Sequence, residues 1–572
     1  MLWFDIETDG LKPTEIFCVG CIVDNQEAVI IKEPEDFRVL LSNLKDKHIV
    51  GHNSIAFDVP VLERLWKIDF SGFKHSDTLV LSRLACPNRE GGHSLRNWGD
   101  ILGGPKGEHS DWSMLTPEME EYCIQDVRVT KAAYNELVKE LRFFSDESIS
   151  LEHQTQKIIA KQISNGWLFD QEKAFILLAE LKEKKNELEE KVQKSFKPLP
   201  TFVKQVTPKI KKDGTKSIVG LKFLGDSWET AEGWFSRIDW EPFNLGSRQQ
   251  IGKHLQYFGW QPEMFTEKGH PIVDEKVLQE VKGIPEVSMI AEYLMLQKRV
   301  AQVSSWLDSV DSEDSRIRGY VNSNGAVTGR MTHSSPNTAQ VPAVYSPYGE
   351  QCRACWSVPK GYSLVGVDAS GLELRMLAHY MKSEEYTNEI LNGDIHTTNQ
   401  NLAGLRTRDQ AKTFIYAFLY GAGNAKIGSL FGGNSSDGKR LKERFLENTP
   451  SLNELRKRVT GKASGGYIQG LDGRRVSIRS EHSALNTLLQ SAGAIVMKKS
   501  LCLLDEYAKL WKIEYKIVGN IHDEIQSEVK QEMAQKFGYL ATECIKAAGE
   551  YYKLGCPLAG EYKVGANWAE TH

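Results

Sequence analysis

The spacing of hydrophobic and polar positions changes along the chain and separates it into regions of different architecture. From residue 1 to about 145, strand-like apolar runs alternate with helical patterns; the runs are LWFDI, IFCVGCIV, EAVII and HIVGHN. Alternation of strand and helix patterns predicts an α/β domain. From about residue 150, IIAKQISNGWLF and then AFILLAELKEKKNELEEKVQKSF have the spacing of long helices, the second one charged outside a single apolar stripe.

The second half of the chain predicts a mixed architecture. Residues 198–240 are rich in Lys, Gly and Thr and give only weak strand signals, and helical patterns resume at SRQQIGKHLQYFGW and VSMIAEYLMLQKRVAQVSSWL. From GYSLVGVDAS onward, strands and helices mix to the end of the sequence. We therefore expect a multidomain protein with α/β and α+β parts.

Length and composition narrow the class of protein. A chain of 572 residues is too long to fold around a single hydrophobic core, and its length suggests three or four domains. No window approaches eighteen apolar residues, and MLWFDIETDG lacks signal-peptide features, so we expect no membrane span and no leader.

Nine cysteines predict reduced thiols and a cytoplasmic location. The net charge of −5 neither supports nor excludes nucleic-acid binding, because a local basic stretch such as KQVTPKIKKDGTKS is sufficient.

Two C-x-x-C pairs raise the question of a zinc site. They are Cys18 with Cys21 and Cys352 with Cys355, more than 300 residues apart along the chain. The first pair lies in a strand-like run, where residues three apart face opposite sides. We therefore do not expect these pairs to bind zinc.

Acidic residues near the N-terminus form one candidate site. Asp5 and Glu7 in WFDIETDG are two apart in a predicted strand and project from one face. Asp58 precedes a helix in IVGHNSIAFDVPVL, and Tyr122 and Asp126 lie one helical turn apart in EYCIQDVRVT. Such acids can hold two metal ions that activate a water for phosphodiester hydrolysis, with the tyrosine orienting that water. Scattered surface acids are the alternative.

A second carboxylate pair lies in the C-terminal half. VGVDASGLELRMLAHY is a strand that delivers Asp368 and leads directly into a helix. In VGNIHDEIQSEV, two strand-like halves flank His522, Asp523 and Glu524. Adjacent carboxylates repel unless a cation neutralises them, so a metal at Asp368 and Asp523 would explain the turn. A solvated surface turn is the alternative interpretation.

Between these segments, RDQAKTFIYAFLYGAG predicts a helix that ends near Gly421. Arg408, Lys412, Tyr416 and Tyr420 recur every four residues and form one stripe. The cations suit a triphosphate and the rings suit a sugar and base. An amphipathic surface helix with a buried aromatic edge would show the same spacing.

The N-terminal set resembles the DEDDy-type 3′–5′ proofreading exonucleases, which have an RNase H-like fold. The C-terminal motifs resemble family A DNA polymerases, in particular the replicative polymerases of T-seven-like phages; they are NSNGAVTGRMTH, SPYGEQCRA, DASGLELR, EILNGDIHT, RDQAKTFIYAFLYGAG, LDGRR, LNTLLQSAGA and HDE. The resemblance implies an RNase H-like exonuclease domain followed by a right-hand polymerase domain. The implied boundaries are 1–147 for the exonuclease, 148–360 for the thumb and connecting region, 361–400 for the first part of the palm, 401–480 for the fingers and 481–572 for the second part of the palm.

The resemblance also implies a role for each matching residue. The catalytic residues would be Asp5, Glu7, Asp58, Tyr122 and Asp126 in the exonuclease, and Asp368, Asp523, Glu524 and Lys412 in the polymerase. The metal ligands would be Asp5, Glu7, Asp126, Asp368, Ala369 and Asp523, with two Mg²⁺ per site and Mn²⁺ as a substitute. The nucleotide would contact Glu373, His396, Arg408, Lys412, Tyr416 and Tyr420, and Glu373 would help to exclude a 2′-hydroxyl. The primer–template would contact Arg330, Gln340, Asn486, Gln490 and His522.

The sequence departs from the phage pattern at residues 198–240, where the family carries a long thumb insertion that captures host thioredoxin. The stretch here is much shorter but retains Lys204, Lys209, Lys211 and Lys212. This argues against thioredoxin binding and leaves two possibilities, a basic element that holds duplex DNA or a plain surface loop.

The function expected from the resemblance is a monomeric, proofreading DNA-directed DNA polymerase for viral replication. Its expected partners are primer–template DNA and dNTPs, with a phage helicase-primase and a single-strand binding protein as further candidates. The alternatives are an exonuclease whose polymerase half only binds DNA, a non-catalytic DNA-binding scaffold, and a polymerase that copies RNA.

Overall fold

The computed structural model describes residues 1–104, 111–284 and 286–572, which include every candidate site residue. The chain forms two compact units, one of Met1–Asp170 with Ser309–His572 and the other of Gln171–Asp308. The functional domain boundaries given above remain predictions.

The first unit begins with a five-stranded mixed sheet in the order β3-β2-β1-β4-β5. The first strand is central, antiparallel to the second and parallel to the fourth. Its Leu2, Phe4 and Ile6 are buried in the core. The four strands predicted in this region are confirmed. The elements are β1 (Leu2–Thr8), β2 (Ile16–Val23), β3 (Val29–Ile31), α1 (Pro34–Asn43), β4 (His48–Gly51), α2 (Asp58–Leu65), β5 (Lys74–Asp77), α3 (Thr78–Ala85), α4 (Leu95–Leu102) and α5 (Pro117–Glu140).

The segment IIAKQISNGWLF is only partly helical, so its prediction as a long helix is wrong at its C-terminal end. Helix α6 (Asp146–Asn165) stops before Gly166, and the next three residues form strand β6 (Trp167–Phe169). Gly166 has a φ of 61°, and a Cβ there would come within 2.9 Å of the side chain of Arg318. The close approach and the positive φ require glycine and end the helix.

The second unit is built on two long helices and a hairpin. Helices α7 (Gln171–Ser195) and α10 (Val287–Asp308) pack together. Strands β7 (Leu199–Val206) and β8 (Phe235–Glu241) pair antiparallel within the predicted basic insertion. These helices and the weak strand signals agree with the sequence prediction. The remaining helices are α8 (Arg248–Tyr257) and α9 (Glu275–Glu280).

The C-terminal part of the first unit contains a four-stranded antiparallel sheet in the order β16-β17-β13-β18. Its strands are β13 (Tyr362–Ala369), β16 (Tyr515–Ile521), β17 (Glu524–Lys530) and β18 (Gly560–Gly565). Apolar side chains from this sheet share one large core with the helices packed around it. The shorter strands are β9 (Arg316–Ile317), β10 (Tyr320–Asn322), β11 (Thr332–Ser334), β12 (Trp356–Ser357), β14 (Tyr467–Gln469) and β15 (Arg475–Ser477). The helices are α11 (Gly349–Ala354), α12 (Leu372–Met381), α13 (Glu384–Asn392), α14 (Ile395–Ala403), α15 (Arg408–Leu419), α16 (Asn424–Leu430), α17 (Ser435–Glu447), α18 (Pro450–Ala463), α19 (Ala484–Leu510) and α20 (Ala534–Tyr551).

Among the described residues, one helical segment, Glu481–Leu510, is long and apolar enough to cross a membrane by length and composition. Inside the protein, 78% of its most apolar window is buried. Core helices of globular domains have the same property, so the segment is weak support for a membrane span.

Candidate active sites

The N-terminal sheet brings three of the predicted acids together. Strand β1 carries Asp5 and Glu7, whose carboxylate oxygens lie within 4.8 Å of each other. Asp58 begins α2, and its Oδ1 accepts a hydrogen bond of 3.2 Å from the backbone N–H of Ile6. Burial, with the negative charges of Asp77 and Asp126, raises the pKa of Asp58 to about 7.

Helix α5 supplies the remaining two residues of this set. Tyr122 and Asp126 lie one turn apart on the helix, as predicted. Asp126 is buried, and its charge acts on Asp58. The half-buried ring of Tyr122 packs edge-on against Trp112, with the ring centroids 5.8 Å apart. The four acids Asp5, Glu7, Asp58 and Asp126 therefore lie near one another beside β1, and their role as metal ligands remains a prediction.

The C-terminal sheet brings together the two aspartates that are most distant in sequence. Asp368 is the second-to-last residue of β13, and Asp523 lies in the turn between β16 and β17. The backbone N–H of Ala369 donates to the backbone oxygen of Asp523 at 3.1 Å. Loss of hydration, followed by the charges of Asp523 and Glu524, raises the pKa of Asp368 to about 7. Burial, followed by the charge of Glu373, raises the pKa of Asp523 to about 6.

The neighbouring acid, Glu524, has a separate hydrogen-bond network. Its Oε1 accepts from Trp568 Nε1 and from Gln526 Nε2, both at 2.6 Å, and its Oε2 lies 3.2 Å from His572 Nδ1. Burial disfavours the charge, but the donors from His572, Gln526 and Trp568 leave the pKa of Glu524 below its ordinary value. The turn therefore separates its adjacent acids, because Glu524 is held by side chains of the sheet and the C-terminal segment while Asp523 faces Glu373.

The aromatic end of the predicted stripe on α15 faces these carboxylates. Tyr416 and Tyr420 are stacked, with ring centroids 6.5 Å apart. The Tyr420 hydroxyl donates to Glu373 Oε1 at 3.1 Å, and Arg330 Nη2 lies 3.1 Å from the same oxygen. Burial, followed by the charges of Glu373, Asp523 and Asp368, raises the pKa of Tyr416. The stripe and the aspartate pair therefore belong to one site.

The cationic end of the stripe lies beside His396. Burial, then the charges of Arg408 and Lys412, lower the pKa of His396. Its ring centroid lies 6.3 Å from that of Tyr416. Arg408 and Lys412 therefore place positive charge beside His396 and the aromatic pair, which suits the phosphates of a nucleotide.

The five predicted DNA contacts lie in different surroundings. Arg330 and His522 adjoin the polymerase carboxylates through Glu373. Asn486 Nδ2 donates to the backbone oxygen of Leu419 at 2.7 Å and so holds the end of α15. Gln490 is half-buried on α19, and Gln340 ends a short 3₁₀ turn.

Comparison with known proteins decides the family. Residues 222–570 match DNA polymerase family A, and residues 2–90 match the RNase H superfamily. The chain belongs to DNA polymerase family A. It is a DNA-directed DNA polymerase with an RNase H-like, exonuclease-type domain, as the sequence motifs predicted.

Two phage relatives match this family A polymerase along its whole length. The DNA-directed DNA polymerases of Enterobacteria phage T3 and Escherichia phage T7 are each 37% identical to it over 706 residues, and the alignments cover 100% of both chains. DNA polymerase I of Aquifex aeolicus is 24% identical over 613 residues, covering 100% of this chain and 96% of the relative. The phage relatives support a role in replication.

A solved structure supports the fold. The POL domain of Pol1 from M. smegmatis, in complex with DNA primer-template and dNTP, aligns with a TM-score of 0.80 at 20% sequence identity. The alignment covers 99% of this chain and 96% of that chain. The predicted right-hand polymerase fold is confirmed at this level.

Sequence reasoning missed one residue of the predicted nucleotide region in this family A polymerase. Asp394 caps the N-terminus of α14, where its side chain accepts from the His396 N–H and the Thr397 hydroxyl. Its Oδ2 also lies 2.6 Å from Arg408 Nε. The signal was present in EILNGDIHT, because an aspartate just before a helix is a typical N-cap.

Proposed function

We propose that this polymerase extends a primer by two-metal nucleotidyl transfer at Asp368 and Asp523 and proofreads with a 3′–5′ exonuclease at Asp5, Glu7 and Asp126. The convergence of Asp368, Asp523 and the aromatic end of α15 carries the proposal. It supports a site in which metal, sugar and triphosphate are held next to one another.

The residues at both sites fit divalent magnesium. Burial and neighbouring carboxylates raise the pKa of Asp368 and of Asp523, and a cation bound between them would relieve the repulsion among these acids. The side-chain donors are carboxylate oxygens, which Mg²⁺ prefers. The backbone of Ala369 is the third predicted ligand. When bound, the metal pair stabilises the developing charge of an in-line displacement at phosphorus.

The chain's own residues supply the remaining functions of the polymerase site. His396, Arg408 and Lys412 would hold the triphosphate, and Lys412 would give a proton to the departing pyrophosphate. Glu373, fixed by Arg330 and Tyr420 through bonds of 3.1 Å, would limit the space beneath the sugar. Ordering these groups before the nucleotide binds reduces the entropy lost in reaching the reactive geometry.

A double substitution tests the two-site proposal. Asp5→Ala combined with Glu7→Ala is expected to abolish primer degradation and to leave primer extension intact. The assay is a gel of labelled primer–template with Mg²⁺, with and without dNTPs. Loss of both activities together would contradict two independent sites.

We further propose that the β7–β8 hairpin contacts DNA phosphates and that thioredoxin is not required. Lys209, Lys211 and Lys212 are exposed in the loop between the strands. The phage relatives align over 706 residues against the 572 of this chain, so both carry segments with no counterpart here. The template length copied per binding event should be the same with and without thioredoxin. It should fall when the three lysines are replaced by glutamine. A longer template copied when thioredoxin is added would contradict this.

We propose that the protein works as a monomer in the host cytoplasm on primer–template DNA and dNTPs. A phage helicase-primase and a single-strand binding protein are its proposed partners. Size-exclusion chromatography with light scattering would test the monomer, and a stable dimer would contradict it.

A further inference from the structure

Cys123 lies at the exonuclease carboxylates, although the exonuclease mechanism proposed above does not use a thiol. Its Sγ, a carboxylate oxygen of Asp5 and one of Glu7 all lie within 4.8 Å of one another. The thiol also lies 3.6 Å from the backbone oxygen of Asp5. Cys123 is fully buried and Glu7 is 5% exposed. A sulfur is thus held beside two potential metal ligands.

The fold positions this sulfur closely. Cys123 lies three residues before Asp126 on α5, so both side chains lie on the same side of the helix. Gly20 of β2 leaves room for it, because a Cβ at Gly20 would come within 2.8 Å of Cys123 Sγ. Cys18 pairs with Glu7 in the β1–β2 register, and its thiol is hydrogen-bonded to that of Cys123. The sulfur therefore occupies a defined position between the sheet and the helix.

The three atoms can reach a common cation with small movements. An ion at the centre of a triangle with 4.8 Å sides lies about 2.8 Å from each corner, and 4.8 Å is the upper limit of the spacing here. Zinc bonds to carboxylate oxygen and thiolate sulfur at about 2.0–2.3 Å, so rotations that move each atom by about 0.5–0.8 Å complete the site.

The combination of carboxylate oxygens with a thiol sulfur determines which cations this group of ligands binds most strongly. Magnesium takes oxygen ligands and gains nothing from a thiol, whereas zinc and cadmium bind thiolate strongly. In the described parts of the chain, this is the one group of three or more Asp, Glu, His and Cys ligand atoms at such spacing. The polymerase carboxylates have no such sulfur partner among the described residues.

We propose that Asp5, Glu7 and Cys123 form a binding site for a thiophilic divalent cation, zinc being the physiological candidate, which excludes magnesium and inhibits the exonuclease selectively. The inference rests on the proposed exonuclease function of Asp5 and Glu7. Binding releases the Cys123 proton to solvent and forms a metal–sulfur bond, with no change in oxidation state. Zinc would then shift the balance between extension and proofreading.

Cadmium tests the site directly, because a cadmium–thiolate bond has a charge-transfer absorption in the near ultraviolet. Titration of the full chain with Cd²⁺ should develop this band at one equivalent, and zinc should compete for it. The band should be absent in Cys123→Ser and in Cys123→Ala, and it should persist in Cys86→Ser, a control at a partly exposed cysteine that follows α3. A band that is unchanged in both Cys123 variants would overturn the proposal.

Zinc inhibition is the second readout. In the presence of Mg²⁺, zinc should suppress primer degradation at concentrations that leave extension unchanged. The half-inhibiting concentration should rise about ten-fold or more in Cys123→Ser, measured relative to the activity of that variant without zinc. Equal zinc sensitivity of wild type and variant would also overturn the proposal. Failure of the Asp5→Ala, Glu7→Ala pair to abolish degradation would instead show that the proposed exonuclease function is wrong.

Discussion

Replacing Glu152 by glutamine should destabilise the polymerase part of the molecule strongly, because Glu152 is the centre of a buried charge cluster. Its carboxylate is fully buried and accepts hydrogen bonds from Lys498 Nζ at 2.6 and 2.8 Å and from Arg474 Nη1 at 2.6 Å. Asp472 makes further bonds to Arg474. The cluster joins α6, α19 and the turn between β14 and β15.

The size of the effect follows from the balance of charge. Two acids and two bases cancel in the wild type, and Glu152→Gln leaves one buried positive charge unpaired. Removing one partner of a buried pair costs about 3–5 kcal/mol. For the compact unit of Met1–Asp170 with Ser309–His572, which has about 430 residues, an unfolding entropy of about 2.1 cal/mol/K per residue gives about 0.9 kcal/mol/K, so the melting temperature should fall by about 3–6 °C.

Differential scanning calorimetry of three variants measures this. Glu152→Gln should show the full loss, and adding Lys498→Met should recover at least half of it because the buried charge is removed. Glu506→Gln, an exposed glutamate on α19, is the matched control and should change stability by less than about 0.5 kcal/mol. A shift below about 1 °C for Glu152→Gln, or a double variant less stable than the single one, would refute the reasoning.

Three further predictions concern single side chains. Tyr416→Phe should sharpen discrimination against dideoxynucleotides, because the resemblance to family A polymerases implies that this residue borders the sugar 3′ position and that Tyr there accepts dideoxynucleotides readily. Competition between dNTP and ddNTP in primer extension measures the discrimination, and equal discrimination by wild type and variant would reject the prediction. Asp394→Asn should lower the KM for dNTP with little change in kcat, because the asparagine amide still caps α14 but no longer competes with the triphosphate for Arg408. An increased KM in steady-state kinetics would reject this prediction. His48 is buried against Ser76 with a pKa of about 4, against about 6.5 when unfolded, so its contribution is complete above about pH 6.5 and is lost as the pH falls toward 4. His48→Gln should therefore remove about 2 kcal/mol of the stability loss between about pH 7.5 and pH 5 in denaturant titrations, and an unchanged pH dependence would contradict this.

Local sequence patterns were sufficient to predict those site residues that lie together on a single strand or helix. Asp5 with Glu7, Asp368, and the stripe from Arg408 to Tyr420 each lie on one strand or helix with a readable period. The end of α6 was also readable in principle, because Gly166 marks it.

Features that depend on distant contacts could not be predicted. Lys498 meets Glu152 across 346 residues, and neither residue has a distinctive neighbour pattern. Trp568 reaches Glu524 across 44 residues, so the separate environments of Glu524 and Asp523 appear only in the folded chain. Cys123 likewise became notable only when α5 packed against β1.

The central claim is that Asp368 and Asp523 share the metal ions of nucleotidyl transfer, and single-turnover nucleotide incorporation tests it most directly. Glu561 is the matched control, because it is an exposed acid directly opposite Asp368 on β18 and contributes to the same negative field. With primer–template binding verified for each protein, Asp368→Asn and Asp523→Asn should each slow incorporation by about a thousand-fold or more, and Glu561→Gln should stay within about three-fold of wild type. Incorporation at a near wild-type rate by either aspartate variant would contradict the account.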